Sequence, residues 1–402
     1  MKKSQDNRCP SCDSQQISIF YELSGVPVHS VILLDSEEQA LNYPQGDIRL
    51  GFCHACGFVS NYAFESRLQE YDSHQYEATQ AYSPTFNAFH RRLASDLIER
   101  YDLRHKRILE IGCGQGDFLS LICQMGANQG VGFDPAFAPE RLDGALPDGI
   151  QIIADFYSSK YSGYQADLIC CKMTLEHIRH TAEFVNAVRE TAGENPDVQV
   201  FFQVPNARYV FGTTAFWDVY YEHCSYFSAG SLARLFRNTG FQVQDLWSDY
   251  DDQYLMIEAR PARNGVGGKL SQEEPVAELA QEVADFVRRF SQFVESWQEK
   301  LSNWRQAGRK TVLWGGGSKA VAFLTTLKIG RDLLEYVVDI NPNKSGTYLA
   351  PYGQKVIAPQ ALVEYRPDTI IVMNPIYCQE IGRILDGLNL TPEILSIEDS
   401  RA

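Results

Sequence analysis

The chain has no run of about 18 consecutive apolar residues, the length a helix needs to cross a bilayer. Its opening stretch, Met1 to Arg8, is polar and no apolar core follows, so neither a membrane span nor a secretory signal is expected. Positive charge is scarce too: 36 Lys and Arg stand against 51 Asp and Glu, a net charge of −15. That balance argues against wrapping nucleic-acid backbone, whose affinity rests on neutralised phosphates, although a local basic patch could hold one small anion. Ten cysteines in 402 residues are ordinary for a reduced compartment, so the expected location is cytoplasmic. What is present, 44% hydrophobic and 22% charged residues, is the composition of a soluble globular protein of two or three domains.

Composition changes three times along the chain. Residues 9 to 60 are turn-rich and carry two cysteine pairs. Between 85 and 258, short apolar runs alternate with helical patterns; Arg107 to Ile111, Gly130 to Asp134, Asp167 to Cys171 and Val198 to Phe202 are the clearest runs. This is the rhythm of an α/β unit with a largely parallel sheet. Phe241 to Val243 and Gln253 to Glu258 are placed to add antiparallel edge strands. Residues 261 to 274 read as a glycine-containing linker, followed by a helix in which Leu279, Val283, Phe286, Phe290, Phe293, Trp297, Leu301 and Trp304 recur at three and four. That stripe is expected to pack between domains. A second α/β rhythm follows, from Thr311 to the terminal Glu393–Ile397 run. The expected fold is therefore α/β: a metal-binding lobe over 1–70, a Rossmann-like domain over 71–260, a linker and long helix over 261–308, and a second Rossmann-like domain over 309–402.

The cysteine pairs are Cys9/Cys12 and Cys53/Cys56, separated by 40 residues. A two-residue spacer lets both thiolates of a pair reach one ion, and two such pairs complete a tetrahedral sulfur shell. With no open position, zinc held there is structural; iron is compatible with the same spacing, and a redox dithiol is the competing reading. His54 is expected at the surface rather than on the metal.

Glu110-Ile111-Gly112-Cys113-Gly114-Gln115-Gly116 directly follows the first central run, and Phe118, Leu119 and Ile122 open a helix behind it. Glycines permit a tight strand-to-helix turn and let a ligand approach bare backbone. The spacing G-x-G-x-G is not the dinucleotide fingerprint, and by itself fits a tight turn equally well. Asp134 closes the next strand, 18 residues past Gly116, where an acid can accept both ribose hydroxyls. Asp155 ends a third run and could face an adenine edge or simply cap a helix. Glu176 and His177 lie near the strand-end crevice, as loop ligands or as structural groups.

Downstream, Trp217 to Ser228 packs aromatics around Glu222 and His223. An imidazole takes a proton at neutral pH without further tuning, so His223 is a candidate base or else a bridge within its loop; Glu222 and Tyr221 could orient a substrate. In the second α/β unit, Gly315-Gly316-Gly317-Ser318-Lys319 opens a helix and suits a phosphate group, although it is no Walker A; a dinucleotide fold kept only for its shape is the alternative. Asp339-Ile340-Asn341-Pro342-Asn343-Lys344 and Met373-Asn374-Pro375 end later strands.

Glu110 to Gly116, Asp134, Asp155 and Leu175-Glu176-His177-Ile178 together resemble the successive motifs of class I S-adenosylmethionine-dependent methyltransferases. The resemblance implies that Glu110 positions the methionine-ribose end of that cofactor through the loop, that Gly112, Gly114 and Gly116 form the family's glycine turn, that Asp134 binds the ribose, and that Asp155 lies near the adenine amine. Over nearly the whole chain, the order of a four-cysteine zinc lobe, this domain, a long helix and a second Rossmann-like domain is similar to that of the sugar C-methyltransferases, which act on nucleotide-linked deoxy-keto-sugars. Their E-H-x-S-Y-F-S signature matches Glu222 to Ser228, which implies His223 as catalytic base, Glu222 beside it and Tyr221 as a substrate contact. The family's tyrosine ahead of the first central helix corresponds to Tyr76 rather than Tyr82. Lys319, Asn341 and Asn374 then fall on the nucleotide-sugar side, and Asp339, Asn341, Pro342, Lys344 and Gly346 match the family's D-x-N-P-x-K-x-G turn. Two stretches depart from the pattern: Tyr348 to Gly353 lacks the expected P-G-T, and Asn374-Pro375-Ile376-Tyr377 replaces a W-N pair. The implied partner is a small molecule, neither nucleic acid nor membrane, and the oligomeric state stays open. Methylation of N, O or C on another metabolite, or a non-catalytic scaffold role, are the alternatives.

Overall fold

Each apolar run becomes a strand in the computed structural model, which describes residues 8–69, 75–142, 144–263 and 265–401. The N-terminal part forms an antiparallel sheet of β1 (Ile17–Pro27), β2 (Gln45–Cys53) and β3 (Val59–Asn61). The central part supplies β4 (Arg107–Ile111), β5 (Gln129–Phe133), β6 (Ile150–Ile153), β7 (Leu168–Lys172), β8 (Gln199–Pro205), β9 (Ser225–Tyr226), β10 (Phe241–Asp249) and β11 (Tyr254–Pro261). Seven of these form one sheet in the order β6-β5-β4-β7-β8-β11-β10; β4 to β8 run parallel and β11 is antiparallel to both its neighbours, as the two late runs suggested. All of β7 is buried, as expected for a parallel strand covered on both faces. The exception is β9, which leaves this sheet and pairs with β3, so the loop carrying His223 is sewn into the N-terminal sheet.

A second parallel sheet holds β12 (Thr311–Trp314), β13 (Tyr336–Val338), β14 (Tyr348–Leu349), β15 (Gln354–Ile357), β16 (Thr369–Val372) and β17 (Glu393–Ser396), in the order β14-β15-β13-β12-β16-β17 with only β14 antiparallel. Between the sheets lies a helix spanning Val276–Gln306, whose buried Leu279, Val283, Phe286, Phe293, Trp297 and Leu301 share one core with β1, the helix Ala207–Gly212 and the helix Ser318–Leu327. The apolar stripe thus joins three parts of the molecule. The end of the glycine-containing linker is pinned rather than free: Glu274 is buried and accepts from Ser228 Oγ at 2.5 Å and Gly230 N–H at 3.0 Å. Among the described residues, no helix is long and apolar enough to cross a membrane.

Two topological facts position the site. In the central sheet the connections reverse direction at β4, between β5 and β7, and in the second sheet at β12, between β13 and β16. Open parallel sheets bind ligands in the crevice at the carboxyl ends of such strands. The loops there are Gly112–Gly116 and Met173–His177 in one sheet, Gly315–Gly317 and Met373–Tyr377 in the other.

Candidate active site

The two crevices face each other. One cavity of about 330 Å³ is lined on the central side by Met173, Glu176, His177, Tyr220, Glu222 and His223, and on the other side by Gly315, Gly317, Lys319, Asn341, Met373 and Asn374. Tyr76 and Tyr82 also reach it.

On the central side the glycine turn is forced. Gly112, Gly114 and Gly116 all have positive φ, at 70°, 58° and 88°. A Cβ at Gly112 would lie 1.9 Å from Thr174 Oγ1, which places the turn directly against the segment bearing Glu176. At Gly114 nothing lies within 4 Å of that position, so the backbone is open to an incoming group. Gly116 caps the helix Asp117–Gly126 with no side-chain acceptor, leaving its N-terminus suited to a carboxylate or other anion. Asp134 shapes the turn: Oδ2 accepts from Gly114 N–H and Oδ1 from Ala136 N–H, each at 2.8 Å. Burial raises its pKa and those two N–H groups pull it back. Glu110 is buried beside Lys172, 3.5 Å away, and its Oε2 has no hydrogen-bond partner among the described residues. Asp155 lies at the carboxyl end of β6, where Lys160 and Tyr161 both hold its Oδ2.

The same acid-and-turn device recurs in the second sheet. Asp339 Oδ2 accepts from Gly316 N–H and Oδ1 from Asn341 N–H, again at 2.8 Å. Gly317 caps the helix Ser318–Leu327 without a side-chain acceptor, so a second open helix N-terminus meets the cavity. Lys344 lies 3.4 Å from Asp339, and Lys319 Nζ bonds both oxygens of Asp218 at 2.6 Å. Asn341 is buried and its Nδ2 has no partner among the described residues. Asn374 is tied in an amide pair with Gln253 of the central part, 3.0 Å each way.

His223 is 4% exposed; burial, with His177 and Lys319 nearby, drives its pKa well below the ordinary imidazole range and keeps it neutral. Its Nε2 lies 2.7 Å from the hydroxyl of Tyr220 and 4.0 Å from Glu176 Oε1. Glu222 is fully engaged, by His29 Nδ1 at 3.2 Å, Ser30 N–H at 2.9 Å and the Ser30 hydroxyl. Burial alone would raise its pKa, but His29, His177 and Ser30 outweigh it and leave Glu222 ionised. Tyr221 points elsewhere: its hydroxyl accepts from Glu65 N–H at 2.8 Å, and it does not line the cavity. The tyrosine on the cavity side of this loop is Tyr220. Tyr76 bridges to Ile32 through its backbone, and its ring lies 6.0 Å from that of His29. Tyr348 and Ala350, where the P-G-T is missing, dock on Ile32, Leu34 and Ala40 instead of facing the cavity.

The sequence has matches to known proteins over both halves of this cavity. Residues 86–246 match the family described as "Methyltransferase domain", and residues 257–388 match that described as "C-methyltransferase C-terminal domain". Together they span both walls of the cavity. The chain is a class I S-adenosylmethionine-dependent methyltransferase of the C-methyltransferase type.

Among its relatives is the C-methyltransferase NovU of Streptomyces niveus, 25% identical over 307 residues that cover 72% of each chain. The ubiquinone biosynthesis O-methyltransferase of Pseudomonas aeruginosa is 34% identical over 115 residues, 27% of this methyltransferase and 48% of that chain. Of the solved structures, the 1,6-didemethyltoxoflavin-N1-methyltransferase of Burkholderia thailandensis matches at 17% identity and a TM-score of 0.35, covering 43% of this chain and 79% of that one.

The methyltransferase's residues fit its cofactor on structural grounds. Glu110 has an oxygen without a partner among the described residues, Gly114 leaves bare backbone and Gly116 an uncapped helix, a donor and acceptor set whose chemistry suits an amino-acid end, although none of the three lines the cavity itself. Asp134 keeps acceptor positions beyond its two amide bonds.

The four cysteines also converge. Cys9, Cys12, Cys53 and Cys56 have Sγ atoms all within 4.8 Å of one another, with Cys9–Cys56 at 3.7 Å and Cys12–Cys53 at 3.6 Å. A tetrahedron with metal–sulfur bonds of about 2.3 Å has edges of about 3.8 Å. Each pair sits in a tight turn closed by a backbone bond, Asp13 N–H to Cys9 O and Gly57 N–H to Cys53 O, both 2.8 Å. His54 is exposed and bonds Ser18, away from the sulfurs. A second group, Glu176, His177 and His223, also has ligand atoms within 4.8 Å.

Proposed function

We propose that this enzyme methylates a carbon next to the ketone of a nucleotide-linked deoxy-keto-sugar, with His223 as the base that removes the proton. The supporting observation is that a neutral, buried imidazole shares one cavity with the carboxyl ends of both parallel sheets. A C–H beside a carbonyl is acidic enough for an imidazole to remove once the two are held in line. S-adenosylmethionine, when bound, supplies a methyl group on a positively charged sulfur, an electrophile that needs little further activation.

The chain's own residues do the rest. Glu110, the Gly112–Gly116 turn and the helix behind it hold the amino-acid end; Asp134 holds the ribose, and the second oxygen of Asp155 is available to the adenine amine. Tyr220 orients the imidazole from Nε2 and occupies the position that the substrate C–H takes over on binding. Glu222, locked by His29 and Ser30, fixes the loop from beneath; its backbone carbonyl also receives His177 Nδ1 at 3.1 Å. On the opposite wall the open helix N-terminus at Gly317, with Lys319 and Lys344, suits a diphosphate, and the orphan Nδ2 of Asn341 is a ready donor. Tyr76 closes the side of the cavity nearest His29 and helps to exclude water from the enolate.

The four cysteines are proposed to hold zinc. A closed sulfur shell leaves no position for substrate, so the ion would staple β1 and β2 to the turn at Cys9 and thereby brace β9 and the His223 loop.

The test is product analysis: thymidine diphosphate-4-keto-6-deoxyglucose is incubated with methyl-labelled cofactor, and nuclear magnetic resonance locates the label. A new carbon–carbon bond beside the ketone is expected. Label on oxygen or nitrogen would overturn the reading.

A further inference from the structure

Glu176 is the least explained group in the cavity. It sits on the turn Leu175–His177 directly after β7, lines the cavity, and is 1% exposed. Neither carboxyl oxygen has a hydrogen-bond partner among the described residues, and His223 Nε2, 4.0 Å from Oε1, is beyond bonding distance. An ionised carboxylate so placed would cost several kcal/mol, offset only in part by the backbone amide of Glu176 itself. The titratable groups facing it are His177 on its own turn, Cys171 of β7, Tyr220, His223 and Cys224 of the loop, and Tyr254 of β11. None is a fixed cation. Burial raises the pKa of Glu176 to about 8 while it depresses that of His223.

We propose that Glu176 is the neutral acid of this site, donating its carboxyl proton to the ketone oxygen of the substrate while His223 removes the neighbouring carbon-bound proton. The inference rests on the reading of His223 as base. In the step, the C–H bond breaks and its proton goes to the imidazole. The released electron pair forms the carbon–carbon double bond of an enol, and the carbonyl π pair moves onto oxygen, which takes the Glu176 proton. A neutral acid and a neutral base thus become a carboxylate and an imidazolium side by side, with no change in net charge. When the enol carbon takes the methyl group, the methyl–sulfur bond would break with its electron pair left on sulfur, the carbonyl re-forms, the hydroxyl proton returns to Glu176, and the imidazolium of His223 gives its proton to solvent. Two titratable groups pushed apart by one apolar setting are the pattern that assigns acid and base. The recruited partner is a carbonyl oxygen, a stronger acceptor than the hydroxyls elsewhere on a sugar.

Difference infrared spectroscopy of the full-length protein tests this without substrate. A protonated carboxyl band is expected at pH 7, ionising near pH 8, absent in Glu176→Gln and retained in His223→Asn. Absence of that band at pH 7 overturns the proposal, including the case where elemental analysis finds a divalent metal on Glu176, His177 and His223. The second arm measures deuterium exchange from solvent into the carbons flanking the ketone of thymidine diphosphate-4-keto-6-deoxyglucose, with S-adenosylhomocysteine bound. Glu176→Gln, which keeps an N–H donor but cannot transfer a proton, should slow exchange about 10²-fold and abolish the wild-type fall in rate above pH 8; Glu176→Leu should slow it further. Parental exchange in both variants, with parental melting temperatures, overturns the assignment. Failure of His223→Asn to affect exchange, with the band intact, would instead overturn the base.

Discussion

Removing Lys319 should destabilise the enzyme in a way that depends on pH. Its ammonium bonds both oxygens of Asp218 at 2.6 Å across the cavity, and their side chains are only 21% and 14% exposed. At an effective dielectric of about 20, two charges so close attract by about 6 kcal/mol before desolvation is subtracted. Burial raises the pKa of Asp218 and Lys319 pulls it back, so the carboxylate depends on its partner. In Lys319→Met the carboxylate is left buried and unpaired, a change that costs about 3–5 kcal/mol. Protonation limits the loss. Neutralising a carboxyl with an unfolded pKa of about 3.9 costs about 5 kcal/mol at pH 7.5 but only about 2 kcal/mol at pH 5.5. The sign follows from linkage: a folded-state pKa above the unfolded one means the native state binds more protons, so stability falls as pH rises through that window. Urea unfolding followed by the fluorescence of Trp217 and Trp314, beside Asp218 and on the cavity wall, should therefore show a loss of about 3–5 kcal/mol at pH 7.5 and no more than about 2 kcal/mol at pH 5.5. Adding Asp218→Asn should restore most of it, because both charges are then gone. Equal losses at the two pH values, or none at either, would mean that Lys319 does not hold Asp218 in its charged form.

Other expectations follow from the same geometry. Asp134→Asn loses one acceptor of a buried, charge-assisted set, and calorimetry should find S-adenosylhomocysteine binding about 10–100-fold weaker. Tyr220→Phe removes the hydroxyl on His223 Nε2 and should lower turnover about 5–10-fold, whereas Tyr221→Phe should leave turnover unchanged and cost about 1 kcal/mol of stability through its lost bond to Glu65. Cys53→Ser, or a strong chelator, should lower the melting temperature by about 5 °C or more, since the staple beneath β2 is lost; an unchanged melting temperature in the metal-free protein would argue against a structural metal.

Much of the fold was legible because buried strands announce themselves. Leu168 to Cys171 and Ile370 to Met373 are continuous apolar runs, and the stripe from Leu279 to Leu301 has unmistakable helical spacing. The cysteine pairs were legible for a similar reason, since a short spacer fixes local geometry. The cavity was not. It exists because two sheets dock switch point to switch point, and no local pattern encodes that meeting. Lys319 and Asp218 are 101 residues apart, and His29 lies 193 residues from the Glu222 it holds. Tyr220 lines the cavity where the sequence pointed to Tyr221, because an irregular loop has no period from which to read which of two adjacent side chains turns inward. Glu176 carried a hint, an acid at the end of a buried strand, but that no side chain among the described residues bonds its carboxyl is visible only in three dimensions.

The proposed reaction turns on His223 deprotonating carbon in the cavity between the two sheets. Its most direct test is deuterium wash-in beside the ketone of thymidine diphosphate-4-keto-6-deoxyglucose, comparing the parent with His223→Asn, each bound to S-adenosylhomocysteine. The parent should exchange, and the variant should bind the cofactor product equally well yet exchange at least about 10²-fold more slowly. Exchange at the parental rate in His223→Asn would contradict the account.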